Sequence, residues 1–154
     1  MGLGARMRII FAVLALLALA GCSTAERLSI EVASSGYGIE TYKDQKISGR
    51  FRATCAYDAN ANLNVQELRW RTLLDGVKSA KRDGYDLVTW GGPTGVKLTV
   101  TTRYRYGPPI TSKEHPGFIY SVQGFKSAEP HPANAGSPDL LIDELNRQIA
   151  KTKG

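Results

Sequence analysis

Five cations carry the most concentrated chemistry in this 154-residue chain: Arg50 and Arg52 in one alternating segment, Lys97, Arg103 and Arg105 in another. In the first, Ile47, Phe51, Ala53, Cys55 and Tyr57 share one side, and Ser48, Arg50, Arg52 and Thr54 the other. In the second, Val96, Leu98, Val100, Thr102, Tyr104 and Tyr106 oppose Lys97, Thr99, Thr101, Arg103 and Arg105. A two-residue period separates each pair of sets onto the two faces of a strand. If the strands are neighbours, the five cations share one surface, with Thr54, Thr99 and Thr101 between them. Such a surface suits the phosphate or carboxylate groups of a lipid headgroup, an anionic polymer or an acidic protein. Near an anionic membrane each Lys or Arg contributes about 1 kcal/mol, screened beyond about 8 Å in physiological salt. The plain alternative is a solvated sheet face whose charges keep it soluble and block edge pairing.

The other reactive residue types form no convincing constellation. His115 and His131, each followed by proline, fall in expected loops and lack a third ligand at metal-site spacing, so no metal or other cofactor is expected. Neither has a recognisable serine or cysteine nucleophile partner. Gly91-Gly92-Pro93-Thr94-Gly95-Val96-Lys97 fails as a phosphate loop, because Val96 interrupts the required Gly-Lys-Ser/Thr and a strand follows in place of a helix. A hairpin turn is expected there. Cys55, on an apolar face, reads as a core thiol, and Trp70 and Trp90 read as core or rim packing. The acids Asp58, Asp75, Asp83, Asp86, Asp139, Asp143 and Glu144 sit mostly at caps, turns and helix surfaces, so no catalytic pair emerges.

The elements that position these residues follow from periodicity and capping. Strands are expected over Tyr37–Tyr42, Ile47–Tyr57, Tyr85–Trp90, Val96–Tyr106 and Phe118–Phe125; Leu28–Val32 alternates too, as a strand or an extended lead-in. Asn64 with Glu67 gives a variant of the capping box, and Trp70, Leu73, Leu74, Val77 and Lys81 recur at helical spacing. Lys81-Arg82-Asp83-Gly84 closes that helix with cations and a glycine. Gly107–Gly117 and Ser127–Gly136 read as proline-bearing loops. Ser137-Pro138-Asp139 then opens a terminal helix with Leu141, Ile142, Leu145 and Ile149 as its stripe. One apolar face per strand and two one-sided helices predict an α+β domain: an antiparallel sheet of four to six strands with two helices packed on one face.

The N-terminus is of a different kind. Arg6 and Arg8 precede twelve apolar residues, Ile9–Ala20, and small residues follow. That is the pattern of a secretory leader, and it is short of the about 20 residues a bilayer span needs. Leu19-Ala20-Gly21-Cys22 resembles the bacterial lipobox, which implies cleavage before Cys22 and acylation of its thiol and new amine. The expected organisation is therefore a leader at 1–21, an acylated Cys22 with a short tether to Arg27, and one domain at 28–154. The leader holds two cations, Arg6 and Arg8, and no acids, so its removal takes the formal charge from +6 to +4 over 133 residues. This is short of the bias of a dedicated nucleic-acid binder, and no nucleic-acid partner is expected. With Cys22 acylated, Cys55 has no disulfide partner within the chain.

From the lipobox through the strand at Gly49–Tyr57, the helix at Val65–Arg82 and Gly84-Tyr85-Asp86, the chain resembles small bacterial envelope lipoproteins of uncharacterised function. That resemblance implies attachment to the membrane through lipid on Cys22. Ser23 in place of an aspartate implies the outer membrane, facing the periplasm, in a cell with two membranes. The expected role is a non-enzymatic accessory or adaptor that meets another envelope protein. The alternative is a module binding an anionic headgroup or polysaccharide through Arg50, Arg52, Lys97, Arg103 and Arg105.

Overall fold

A computed structural model of the chain describes residues 35–102 and 111–154. The elements run β1 (Tyr37–Lys43), β2 (Arg50–Tyr57), α1 (Val65–Arg82), β3 (Leu87–Thr102), β4 (Thr111–Phe125) and α2 (Pro138–Lys151). The leader, Cys22, the tether, Leu28–Val32, Arg103, Tyr104, Arg105 and Tyr106 all lie outside the described residues.

The four strands form one antiparallel sheet in the order β1-β2-β4-β3. β1 and β2 make a hairpin, α1 carries the chain across, and β4 then returns between β2 and β3. The fold is α+β, as expected, with the helices on one face. Phe51, Ala53 and Cys55 of β2 share that face with Phe118, Tyr120 and Val122 of β4, and all six are buried. Leu68, Leu73, Val77 and Ala80 of α1 close over them. α2 lies mainly against α1 and adds Leu145 to the same core. A Lys81–Asp139 ion pair ties the end of α1 to the start of α2.

The caps of α1 form where the sequence places them. Asn64 accepts from the Glu67 backbone N–H at 3.1 Å, although the Glu67 carboxylate turns to Arg71 rather than back to the cap. At the far end Gly84 takes a left-handed φ of 83°, and the N–H groups of Gly84 and Tyr85 reach back to Lys81 and Ala80. Ser137 sits at the N-cap position of α2, but its side chain makes no capping bond.

Two expectations are corrected. The turn expected at Gly91–Gly95 is a bulge within one long strand: Gly91 pairs with Ser121 and Thr94 with Ile119, so Gly92 and Pro93 together oppose Tyr120. Both halves of β3 meet the same uninterrupted β4, which removes any reversal of direction. Gly92 permits the bulge, since its φ is 109° and a β-carbon there would lie 2.8 Å from the Ile119 carbonyl. The loop expected at Gly107–Gly117 is likewise strand from Thr111 onward. Pro116 is accommodated because the β2 pairing ends at Gly117, leaving β4 with an open side there.

Candidate functional site

Arg50 and Arg52 do share a face of β2, the one turned away from the helices, where they pair across to Gln123 and Ser121. Lys97 does not join them. It pairs with Pro116, which is in phase with Phe118 and Tyr120, so Lys97 projects toward the helix side. The reason is the bulge: Gly92 and Pro93 stand opposite one residue, and that single extra residue inverts the phase of everything beyond it. β4 also separates β2 from β3. Of the five expected cations, two come together, one faces away, and Arg103 and Arg105 lie outside the described residues. Nor are Arg50 and Arg52 freely solvated. Both are half-buried, Arg52 lies 3.6 Å from the Asp44 carboxylate, and Arg50 Nε is buried with no hydrogen-bond partner among the described residues.

The same inversion carries Leu98, with Val96, onto the helix-free face, opposite His115 and Gly117 of β4. Leu98 is buried, as are Thr54 and Ala56 on that face of β2. His115, expected in an exposed loop, is a buried residue of β4; His131 is exposed, its Nδ1 2.8 Å from the Glu129 carbonyl. Among the described residues no three His, Cys, Asp or Glu side chains gather. Cys55 is fully buried, and burial pushes its thiol up to about 11, opposed by a hydrogen bond with Thr72. A thiol held protonated in the core is a poor nucleophile.

A concavity of mixed chemistry lies elsewhere, at the outer edge of β3. Val88 exchanges two backbone hydrogen bonds with Gly136, at 2.9 and 3.0 Å, and the turn at Ala133 and Asn134 leads the chain into that bridge. The outward backbone groups alternate along an edge strand, so the next outward residue after Val88 is Trp90. A cleft of about 520 Å³ opens there, walled by Val88 and Trp90 on one side and by Asn134, Ser137, Leu140 and Leu141 on the other. Trp90 is 46% exposed and Leu140 is 71% exposed, two of the three exposed large hydrophobics among the described residues. Trp90 is held edge-on by Tyr120, with centroids 6.1 Å apart and planes at 65°.

Sequence reasoning assigned Trp90 to packing and passed over Leu140. A signal was present: Leu140 is an apolar residue that falls outside the stripe of Leu141, Ile142, Leu145 and Ile149. No family model matches the chain, and no curated protein or solved structure matches it.

Proposed function

We propose that the chain is a lipid-anchored cell-envelope protein whose α+β domain serves as an accessory or adaptor. The observation that carries the reading is the succession of Arg6 and Arg8, the apolar Ile9–Ala20 and the Leu19-Ala20-Gly21-Cys22 processing site. Anchoring through Cys22 is physically sufficient when more than one chain is attached. Each buried CH₂ contributes about 0.8 kcal/mol, and a single acyl chain holds only marginally. The domain then presents the β3 edge, where Trp90 and Leu140 stand exposed, to another envelope component; clustered exposed apolar side chains of this kind mark interaction sites.

Metabolic labelling with a radioactive fatty acid in a bacterial host tests the anchor. The wild-type chain incorporates label and partitions into detergent, whereas Cys22→Ala remains unprocessed or soluble and unlabelled. A labelled, processed Cys22→Ala protein overturns the reading.

A further inference from the structure

We propose that the cleft at the β3 edge binds the pyranose ring of a neutral saccharide, stacked on Trp90. The inference rests on the β3 edge being the presented surface and does not depend on the lipid.

The site has the size of a small-ligand cleft, about 520 Å³, and its lining presents apolar and polar surface in nearly equal measure. Every side chain lining it is uncharged, in a chain of formal charge +6. Asp139, the sequence neighbour of Leu140, is already engaged by Lys81. A charged ligand would therefore enter without a counter-charge, at a desolvation cost the site does not offset.

The apolar and polar groups are segregated in the way a sugar requires. One face of a pyranose is a plate of C–H groups and its rim is a ring of hydroxyls. The C–H plate matches the negative π face of an indole, and Tyr120 fixes that indole before any ligand arrives. Leu140 extends the apolar platform. Around it stand Asn134 and Ser137, which together supply hydroxyl and amide donors and acceptors. Ser137 is free for this task because its side chain does not cap α2.

An added peptide strand, the other common occupant of a sheet edge, fits less well. Only Trp90 offers outward backbone groups before the bulge at Gly92-Pro93 breaks the row, and Pro93 has no N–H to contribute.

Trp90 is its own reporter once Trp70, the only other tryptophan, is replaced by Phe. The full chain, held in a detergent without a sugar headgroup, is titrated with tetra-N-acetylchitotetraose and separately with maltotetraose. The expected result is a saturable shift of Trp90 emission with at least one of them; response to the first alone assigns an acetamido sugar. In the same background Asn134→Ala and Leu140→Ala each weaken binding by roughly 2- to 10-fold. Calorimetry on Trp90→Ala, in the native Trp70 background, is expected to show affinity lowered about 10-fold or more. These side chains are exposed, so thermal melts of the variants should match the parent. No shift with either oligosaccharide up to about 10 mM overturns the proposal, as does undiminished binding in Trp90→Ala. A shift produced only by an extended neutral peptide overturns it in favour of strand addition. Failure here leaves the fatty-acid labelling result untouched, so the ligand and the anchor are judged separately.

Discussion

Gly76 of α1 lies so close to Ala53 of β2 that a β-carbon on Gly76 would come within 3.0 Å of the Ala53 Cβ, and equally of Val122 Cγ2. Glycine in mid-helix ordinarily costs about 1 kcal/mol relative to alanine, so its presence here marks the point where helix and sheet approach most nearly. Gly76→Leu is expected to force α1 off the sheet and destabilise the fold by about 1–3 kcal/mol. Thermal unfolding reads this directly, at roughly 2–4 °C per kcal/mol for a domain of this size. An unchanged midpoint would show that the helix can lift without loss.

Cys55 sits one layer into the same core, and its raised pKa links stability to alkaline pH. The unfolded thiol ionises near its ordinary 9.0, whereas the folded one holds its proton to about 11. Between those values the unfolded state has lost a proton that the native state keeps. The Cys55 contribution is therefore intact below pH 9 and falls as pH rises toward 11. Denaturant titrations at pH 8 and pH 10.5 should show a larger loss for the parent than for Cys55→Ala. In a Cys22→Ala background, where Cys55 is the only thiol, a disulfide reagent at pH 8 should react only after denaturant is added.

Asp86, just before β3, accepts from the Ser127 hydroxyl at 2.6 Å and from the Ser127 backbone N–H at 2.7 Å. The hydroxyl chiefly, then that N–H and nearby Lys126, hold the carboxyl below its ordinary 3.8. A lowered folded pKa gives stability that is present above the unfolded value and lost as pH falls through the folded one. Asp86→Asn should therefore be less stable than the parent at pH 7, and the gap should narrow below pH 4. Parallel melting curves from pH 7 to pH 2 would remove Asp86 from the acid response.

What could be read from the chain was local. The Asn64–Glu67 cap, the α1 stripe and the alternation of β2 are each decided within a few residues, and each forms as its pattern implies. Gly91–Gly95 is different, because Gly-Gly-Pro serves a reversal and a bulge equally well. The choice lies with β4, more than twenty residues away, which pairs with both halves of β3. That one decision moved Lys97 away from Arg50 and Arg52 and carried Leu98 to the helix-free face. Pro116 and the residues around it likewise resemble a loop until the end of β2 exposes a side of β4 that tolerates proline. The cleft was illegible for a related reason: Trp90 and Asn134 become neighbours only through the Val88–Gly136 bridge.

Thr54 provides a test of that helix-free face. It is fully buried in β2, and its hydroxyl has no hydrogen-bond partner among the described residues. Burying a hydroxyl unpaired costs about 1–3 kcal/mol on protein scales. Valine has nearly the same shape and exchanges that hydroxyl for a methyl group, which gains from burial. Thr54→Val is therefore expected to stabilise the protein by about 1 kcal/mol, read as a higher denaturant midpoint at unchanged slope. Thr54→Ala separates the two contributions, since it removes the hydroxyl but leaves a gap, and should gain less than valine or lose stability. A valine variant less stable than the parent would mean that the hydroxyl is bonded in solution.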